Sequence, residues 1–336
     1  MNILFTCAGR RTYLLKYFRE QLAGRGVVVA TDMQLSAPAL SAADVKIQVP
    51  AVYAPDYIDR TLEICRKYDV KALFSLNDLE LPIIAANRDR FESIGVTPIV
   101  SSPEVIETCF DKFRTAEFIK SLGLNTPRTF VSIEKAKEAL ADGTLVFPLV
   151  LKPRWGSGSI GIEFVNDMAE LEETYASLLR KVKKSILATA SEGNEYILIQ
   201  EKIDGQEYGM DVMNDLTGRN RGVSVKKKLA MRAGETDKAV TVDCPEIREI
   251  GRRLAEGLGH IGNLDVDVFE TNGKYYVLEL NPRFGGGFPF SYEAGVNMPG
   301  ALLAWLSGCE TDDAILIPEN NKAFAKCDYL VEVPVV

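Results

Sequence analysis

A chain of 336 residues with 46% hydrophobic and 26% charged side chains has core-forming material for two or three packed subdomains and no compositional bias toward disorder. Its formal net charge of −8 argues against nucleic acid as the main ligand, since no segment carries the dense Lys/Arg stripe that counterion release needs. Six scattered cysteines without a CxxC pair, and a single histidine, His260, exclude zinc-finger spacing and histidine-based triads or metal sites.

From the N-terminus, residues 2–7 read as a buried strand, followed by Ala8-Gly9-Arg10-Arg11, an amphipathic helix to about residue 22 and a second strand over 27–32. This βαβ opening predicts a parallel sheet. The apolar start is too short for a secretory leader and no run reaches membrane-spanning length, so a cytoplasmic chain with free thiols and no membrane partner is expected. Only Gly9 remains of a dinucleotide G-x-G-x-x-G fingerprint, although Asp32 ends the second strand where a ribose ligand would sit, and a dehydrogenase is disfavoured. A helix over 55–67 leads to a strand over 72–75 that ends in Leu76-Asn77-Asp78-Leu79-Glu80. Ligands of open parallel sheets bind outside the carboxyl ends of the strands, which makes Arg10, Arg11, Asn77, Asp78 and Glu80 substrate-side candidates. A capped helix start at Asn77 or Asp78, with Pro82 early in the helix, accounts for part of the same stretch. Ser101-Ser102-Pro103-Glu104 is a capping signature, and the first domain is taken to end there.

Asp111-Lys112 precedes a helix over 113–122. Residues 147–153 form a short apolar strand that carries Lys152 inward and runs into Arg154-Trp155-Gly156-Ser157-Gly158-Ser159-Ile160-Gly161. A strand follows at 162–165 in place of a helix, which rules out the Rossmann version of this glycine pattern. A glycine loop between antiparallel strands is a flap whose N–H groups can fold over phosphates. The kinase His-Arg-Asp and Asp-Phe-Gly elements and a Walker motif are absent from the sequence. A polar helical stretch at 169–189, a strand at 196–203, a lysine run at Lys226-Lys227-Lys228 and a helix at 245–258 lead to a late hairpin. His260 is expected at that helix's C-terminal end.

The hairpin, 262–281, pairs two β-branched and aromatic runs about Asn272-Gly273. A two-residue turn would pair Asp267 with Leu278 and turn Glu279 to the opposite face. A three-residue loop, Thr271-Asn272-Gly273, would bring Asp267, Glu279 and Asn281 to one face, and this is the arrangement expected. The tail Glu279-x-Asn281-Pro282-Arg283, followed by Gly285-Gly286-Gly287, supplies hard oxygen ligands suited to Mg²⁺ and a guanidinium to face the anion being phosphorylated.

With these motifs in this order, the chain resembles the ATP-grasp superfamily, close to its carbamoyl-phosphate-synthase-like and carboxylate-amine ligase branch, from Lys112 to about Gly300 and more loosely over the first hundred residues. The resemblance implies an α/β fold: a Rossmann-like parallel-sheet domain over 1–103, a small subdomain with the glycine loop over 104–199, and a large subdomain with the metal site over 200–336. ATP would lie between two antiparallel sheets. It implies Lys112 and Lys152 on the nucleotide, with Gly156, Ser157, Gly158, Ser159 and Gly161 closing over the triphosphate. The backbone of Glu201, Lys202 and Ile203 would read the adenine edge and Glu207 the ribose hydroxyls, while Asp267, Glu279 and Asn281 hold Mg²⁺, with Mn²⁺ as a substitute. Two lysines of the run are expected in solvent; Lys226, with Arg232, is expected at the acyl phosphate. The implied chemistry is ATP-dependent activation of a small carboxylate as an acyl phosphate, which an amine then attacks. A homodimer is the family-level expectation, and a non-catalytic ATP-binding sensor or scaffold is the competing reading. Many relatives carry Glu or Gln at the position of Asp267, which leaves one or two Mg²⁺ ions as alternatives.

Overall fold

A computed structural model describes residues 1–156, 161–190 and 193–334. Five strands, β1 (Asn2–Thr6), β2 (Val28–Asp32), β3 (Val45–Gln48), β4 (Val70–Ser75) and β5 (Thr97–Pro98), form a parallel sheet in the order β3-β2-β1-β4-β5. Its central strands are apolar on both faces because helices cover both. Leu14, Leu15 and Phe18 of α1 (Thr12–Leu22) pack on Ile3, Phe5 and Phe74. On the other face α2 (Tyr57–Lys67), α3 (Leu81–Ala86) and α4 (Arg88–Glu92) pack on Leu4, Val29 and Leu73. Strand order reverses between β1 and β4, so the loops 7–11 and 76–80 flank the crevice where such sheets take ligands.

Helices α5 (Pro103–Phe110) and α6 (Lys112–Ser121) follow, N-capped by Ser102 and Asp111, whose side chains accept from the N–H groups of Val105 and Phe113. A small antiparallel sheet comes next: β6 (Thr129–Phe130), β7 (Leu149–Pro153), β8 (Glu163–Val165) and β9 (Ile197–Glu201), ordered β6-β9-β7-β8. It is backed by α7 (Ile133–Ala141), α8 (Met168–Lys183) and the short α9 (Leu187–Ala190). The large sheet contains β10 (Gln206–Asn214), β11 (Asn220–Arg232), β12 (Glu235–Thr241), β13 (Gly262–Thr271), β14 (Lys274–Asn281) and β15 (Ala323–Ala325), ordered β14-β13-β10-β11-β12-β15. Helix α10 (Pro245–Leu258) covers its back, and α11 (Phe288–Glu293) and α12 (Met298–Leu306) follow the hairpin.

Two packing relationships tie the subdomains together. Helices α5 and α6 pack on the large sheet: Val105, Cys109 and Ile119 join its core, against Val266, Val277 and Leu280. Conversely, Phe284, Phe288, Met298 and Leu302 share a core with α1 and β1 of the first domain. The Phe18 and Phe284 rings meet edge to face at 5.9 Å. A continuous apolar seam, in place of a polar linker, therefore fixes the parallel-sheet domain on the large subdomain. All six cysteines are free, two of them, Cys309 and Cys327, exposed. Among the described residues no helix is long and apolar enough to cross a membrane.

Candidate active site

The late hairpin turns on two residues, not three. Asn272 and Gly273 both adopt left-handed φ, 51° and 72°, and Thr271 pairs with Lys274, as the twist of a tight hairpin favours. In an unbroken ladder that register would turn Glu279 into the core. A bulge restores it: Val268 pairs with Val277, yet Asp267 pairs with Glu279 and Asp265 with Asn281, which makes Leu278 the extra residue. Leu278 and Glu279 both face the cavity in front of the sheet, while Val277 and Leu280 are buried behind it. The acids meet on one face by a route other than the expected loop.

That cavity, about 360 Å³, lies between the small and large sheets. Apolar side chains left partly exposed, Ile162, Phe164 and Met231, rim it, and Phe269 and Leu278 form part of its floor. Polar groups converge at its inner end. Lys112 donates to the carbonyl of Gly156 and lies 3.0 Å from Glu279 Oε1. Its position is set by Arg154, whose guanidinium forks onto the capping Asp111 at 2.8 and 2.7 Å while its carbonyl accepts from the Lys112 N–H. Lys152 enters from β7 and is buried; burial pulls its pKa down to about 8, with Glu279 pulling the other way. For Glu279 burial acts to raise the carboxyl, but Lys112 and Lys152 outweigh it and hold it below its usual range.

The third lysine is Lys228. Its ammonium donates to Glu207 Oε1 at 2.7 Å and to Asp267 Oδ1 at 2.6 Å. Asp267 and Glu207 hold it above the usual lysine range against the effect of burial. To arrive there the side chain crosses β10 at Gly209, where an added Cβ would stand 3.3 Å from Lys228 Cε. Nothing in the sequence singled out Lys228 from its run; only the β10–β11 register does. Lys226, the lysine expected at the acyl phosphate, is instead buried under the glycine tail, ion-paired with Asp211 and donating to Ser291 Oγ at 3.0 Å. Arg232 stands at the exposed end of β11, paired with Asp237 at 2.9 Å and Asp328 at 2.5 Å.

Of the other residues singled out from sequence, Gly156 and Gly161 bound the glycine loop with φ of +116° and +73°; Ser157, Gly158 and Ser159 lie outside the described residues. Glu201, Lys202, Ile203 and Glu207 line the cavity. The Glu201 N–H donates to the Arg128 carbonyl, and Lys202 pairs with Asp204. Arg283 is buried between two acids, Asp78 at 2.8 Å and Asp265 at 3.5 Å. Burial and the neighbouring Asp267 push Asp265 up to about 7. On the substrate-side loops Arg11 donates to the Leu76 carbonyl at 2.5 Å, Asn77 Oδ1 accepts from the Leu79 N–H, and Arg10 is exposed. Asp32 accepts from the N–H groups of Gly9 and Gln34 and so fixes the loop where a ribose ligand was considered. His260 follows the left-handed cap Gly259, buried against Val212 and Asn214.

Among the described residues no cluster of three or more His, Cys, Asp or Glu forms a self-contained metal site. The donors present are two facing carboxylates, Asp267 and Glu279, and the amide of Asn281 one period further along β14. Such a set fits Mg²⁺, which keeps part of its shell for water and phosphate oxygens.

Two antiparallel sheets facing each other behind a parallel-sheet domain, with lysines and acids meeting between them, define a mixed α/β protein of the ATP-grasp fold. The chain belongs to the ATP-grasp family: residues 109–287 match its ATP-grasp domain, and residues 3–99 match the PylC-like N-terminal domain. It is 27% identical over 256 residues to the carbamoyl phosphate synthase large chain of Clavibacter michiganensis, a match covering 72% of this chain and 23% of that one. The chain thus spans about a quarter of that relative's length. Biotin carboxylase from Campylobacter jejuni, solved as a β-γ-ATP complex, superposes with a TM-score of 0.74 at 18% identity, covering 94% of this chain and 73% of that one. The L-amino acid ligase of Bacillus licheniformis does so with a TM-score of 0.69 at 20% identity, covering 94% and 75%.

Proposed function

We propose that the protein is an ATP- and Mg²⁺-dependent ligase that joins a small carboxylic acid to an amine. The observation that carries this reading is the meeting of Asp267 and Glu279 with Lys112 and Lys152 in one cavity between the two sheets, with Lys228 paired to Asp267. A carboxylate oxygen of the acid attacks the γ-phosphorus of ATP and ADP leaves; the amine then attacks the acyl carbon and phosphate leaves. Phosphoryl transfer depends on placement and charge neutralisation more than on covalent help from the protein. Lys112 and Lys152 supply fixed positive charge beside the phosphates, and Lys228 keeps Glu207 and Asp267 in place. Arg283 holds the acid. Bound Mg²⁺, held by Asp267, Glu279 and Asn281, would neutralise phosphate charge. The apolar rim of Ile162, Phe164 and Met231 suits the flat base of a nucleotide and limits access of water. Free thiols fit the reducing cytoplasm as its compartment.

The test is incubation with Mg-ATP and pooled carboxylic acids and amines, with ADP and phosphate release followed. Release that requires the acid, and product formation that requires both, is the expected result. ATP binding without acid-dependent release would overturn it and leave a nucleotide-binding sensor.

A further inference from the structure

Three consecutive side chains on the β4–α3 loop engage three different bodies of the protein. Glu80 is fully buried in the first domain: its Oε2 accepts from Thr6 Oγ1 at 2.7 Å and Ser75 Oγ at 2.6 Å, and its Oε1 from the Tyr57 hydroxyl. Leu79, one residue back, packs on the core of the small subdomain. Asp78, one further back, reaches the large subdomain, where its Oδ2 accepts from Arg283 Nε at 3.2 Å and Nη2 at 2.8 Å.

We infer that Asp78-Leu79-Glu80 is a three-way joint that orients Arg283 for its substrate, with Asp78 as the positioning residue and Leu79 tying the same loop to the small subdomain. It rests on the ligase reading, which gives Arg283 its anion. The geometry is specific about which edge of the guanidinium remains. Asp78 takes the Nε–Nη2 edge, and Nη1 donates to the Phe284 carbonyl at 3.3 Å. Nη1 also lies 3.5 Å from Asp265 Oδ2, so the second N–H of Nη2 is the arm of the fork left to donate to a carboxylate or phosphate. Asp265 and Glu279 compete for the same cation from its own sheet. An acid from the first domain is what counters their pull. Glu80 makes that acid rigid by tying its loop to the ends of β1 and β4 and to α2, so the domain next to the substrate crevice sets the angle of the fork. Asp78 acts through Arg283 and not on the reactants.

A double-mutant cycle reads this coupling. Turnover and KM are measured for Asp78→Ala, Arg283→Ala and the double variant, with Asp78→Asn as the milder change that keeps one acceptor oxygen. Calorimetry gives the Kd of each protein, and of Leu79→Ala, for the Mg²⁺ complex of the β,γ-imido analogue of ATP. Asp78→Ala is expected to lower kcat by about 10²-fold, the scale of an ångström-level misplacement, with Kd for the analogue within about twofold; Asp78→Asn should fall between it and the wild type. The double variant should lose far less relative to Arg283→Ala than Asp78→Ala loses relative to the wild type, because the main effect of Asp78 passes through Arg283. Leu79→Ala should weaken analogue binding by about tenfold, since the small subdomain forms one wall of the cavity. Multiplicative losses in the double variant, wild-type kcat in Asp78→Ala, or an unchanged Kd in Leu79→Ala would each overturn the joint. A wild-type protein with no acid-dependent ADP release would refute the ligase reading separately, and the joint would then stand or fall on the Leu79→Ala binding result.

Discussion

Asp267 and Glu279 stand directly opposite each other on β13 and β14, and they do so because Leu278 bulges out of the ladder between Glu279 and Val277. Each acid already has its own lysine: Lys228 at 2.6 Å from Asp267 and Lys112 at 3.0 Å from Glu279. Two facing carboxylates this close would otherwise repel one another and resist ionisation. The lysines offset that repulsion, and Lys112 and Lys152 hold Glu279 below its usual range against the effect of burial.

Glu279→Gln keeps the shape of the side chain and removes its charge. Turnover should fall by about 10²-fold or more, by analogy with the loss of other charge-stabilising groups, while the protein keeps its fold. ADP release at the wild-type rate from this variant would show that Glu279 does not hold the metal.

Lys228 and Gly209 should behave as one unit. Lys228→Met leaves Glu207 and Asp267 without their shared cation, and breaking a buried pair in this way costs on the order of 3 kcal/mol. Gly209→Val should reproduce much of that loss, because a branched side chain there would obstruct the lysine's path across β10. Chemical denaturation of both variants and of the double variant is the measurement. Independent, additive losses would mean that Gly209 matters for another reason.

Lys152 makes nucleotide binding consume protons. Burial sets its pKa near 8, and phosphates beside it would push that value back toward the ordinary lysine range. Binding at about pH 8.5 should therefore take up a fraction of a proton, visible as a calorimetric enthalpy that depends on the ionisation enthalpy of the buffer. The dependence should vanish in Lys152→Met. Its persistence there would assign the proton to another group.

Much of this architecture can be read from local pattern, and what cannot depends on register. The βαβ opening, the cap at Ser102 and the acids of the late hairpin follow from propensity and spacing. The bulge also left a trace: Val277 and Leu280, both buried, are three residues apart and so break the period of two. Which lysine of 226–228 reaches Asp267 is a different kind of fact, settled by how β11 pairs with β10 and by the gap at Gly209. The Asp78–Arg283 ion pair joins residues 205 positions apart, and only the docking of the first domain through Phe284 and Phe288 creates it. The packing of α5 and α6 on the large sheet has the same origin, since an amphipathic helix advertises an apolar face but not the surface that will cover it.

Of the run Gly285-Gly286-Gly287, the first is there for room. None of the three adopts a left-handed φ, and a Cβ on Gly285 would stand 2.1 Å from the carboxyl carbon of Asp265. Gly285→Ala should therefore destabilise by about 1–3 kcal/mol, the range for overpacking. In an Asp265→Ala background, where the obstacle is gone, the same change should cost far less. Equal costs in the two backgrounds, read from melting temperatures, would contradict the steric explanation.

His260 should make the protein sensitive to mild acid. Its ring is fully buried, with Nε2 3.0 Å from the Val212 carbonyl and Nδ1 3.3 Å from Asn214 Nδ2. The neutral tautomer that donates from Nε2 and accepts at Nδ1 satisfies both contacts; a second proton on Nδ1 would face an amide donor. Burial lowers the folded-state pKa from 6.5 to about 4. Because the folded value lies below the unfolded one, the unfolded chain binds the proton first, and stability from this residue is lost as pH falls from 6.5 toward 4. The full span corresponds to about 3 kcal/mol. Carboxylates titrate in the same window, so the readout is the difference between wild type and His260→Gln in urea denaturation at pH 7 and at pH 4.5. The wild type should lose about 2–3 kcal/mol more than the variant; parallel losses would mean that the buried ring accepts its proton without opposition from Asn214.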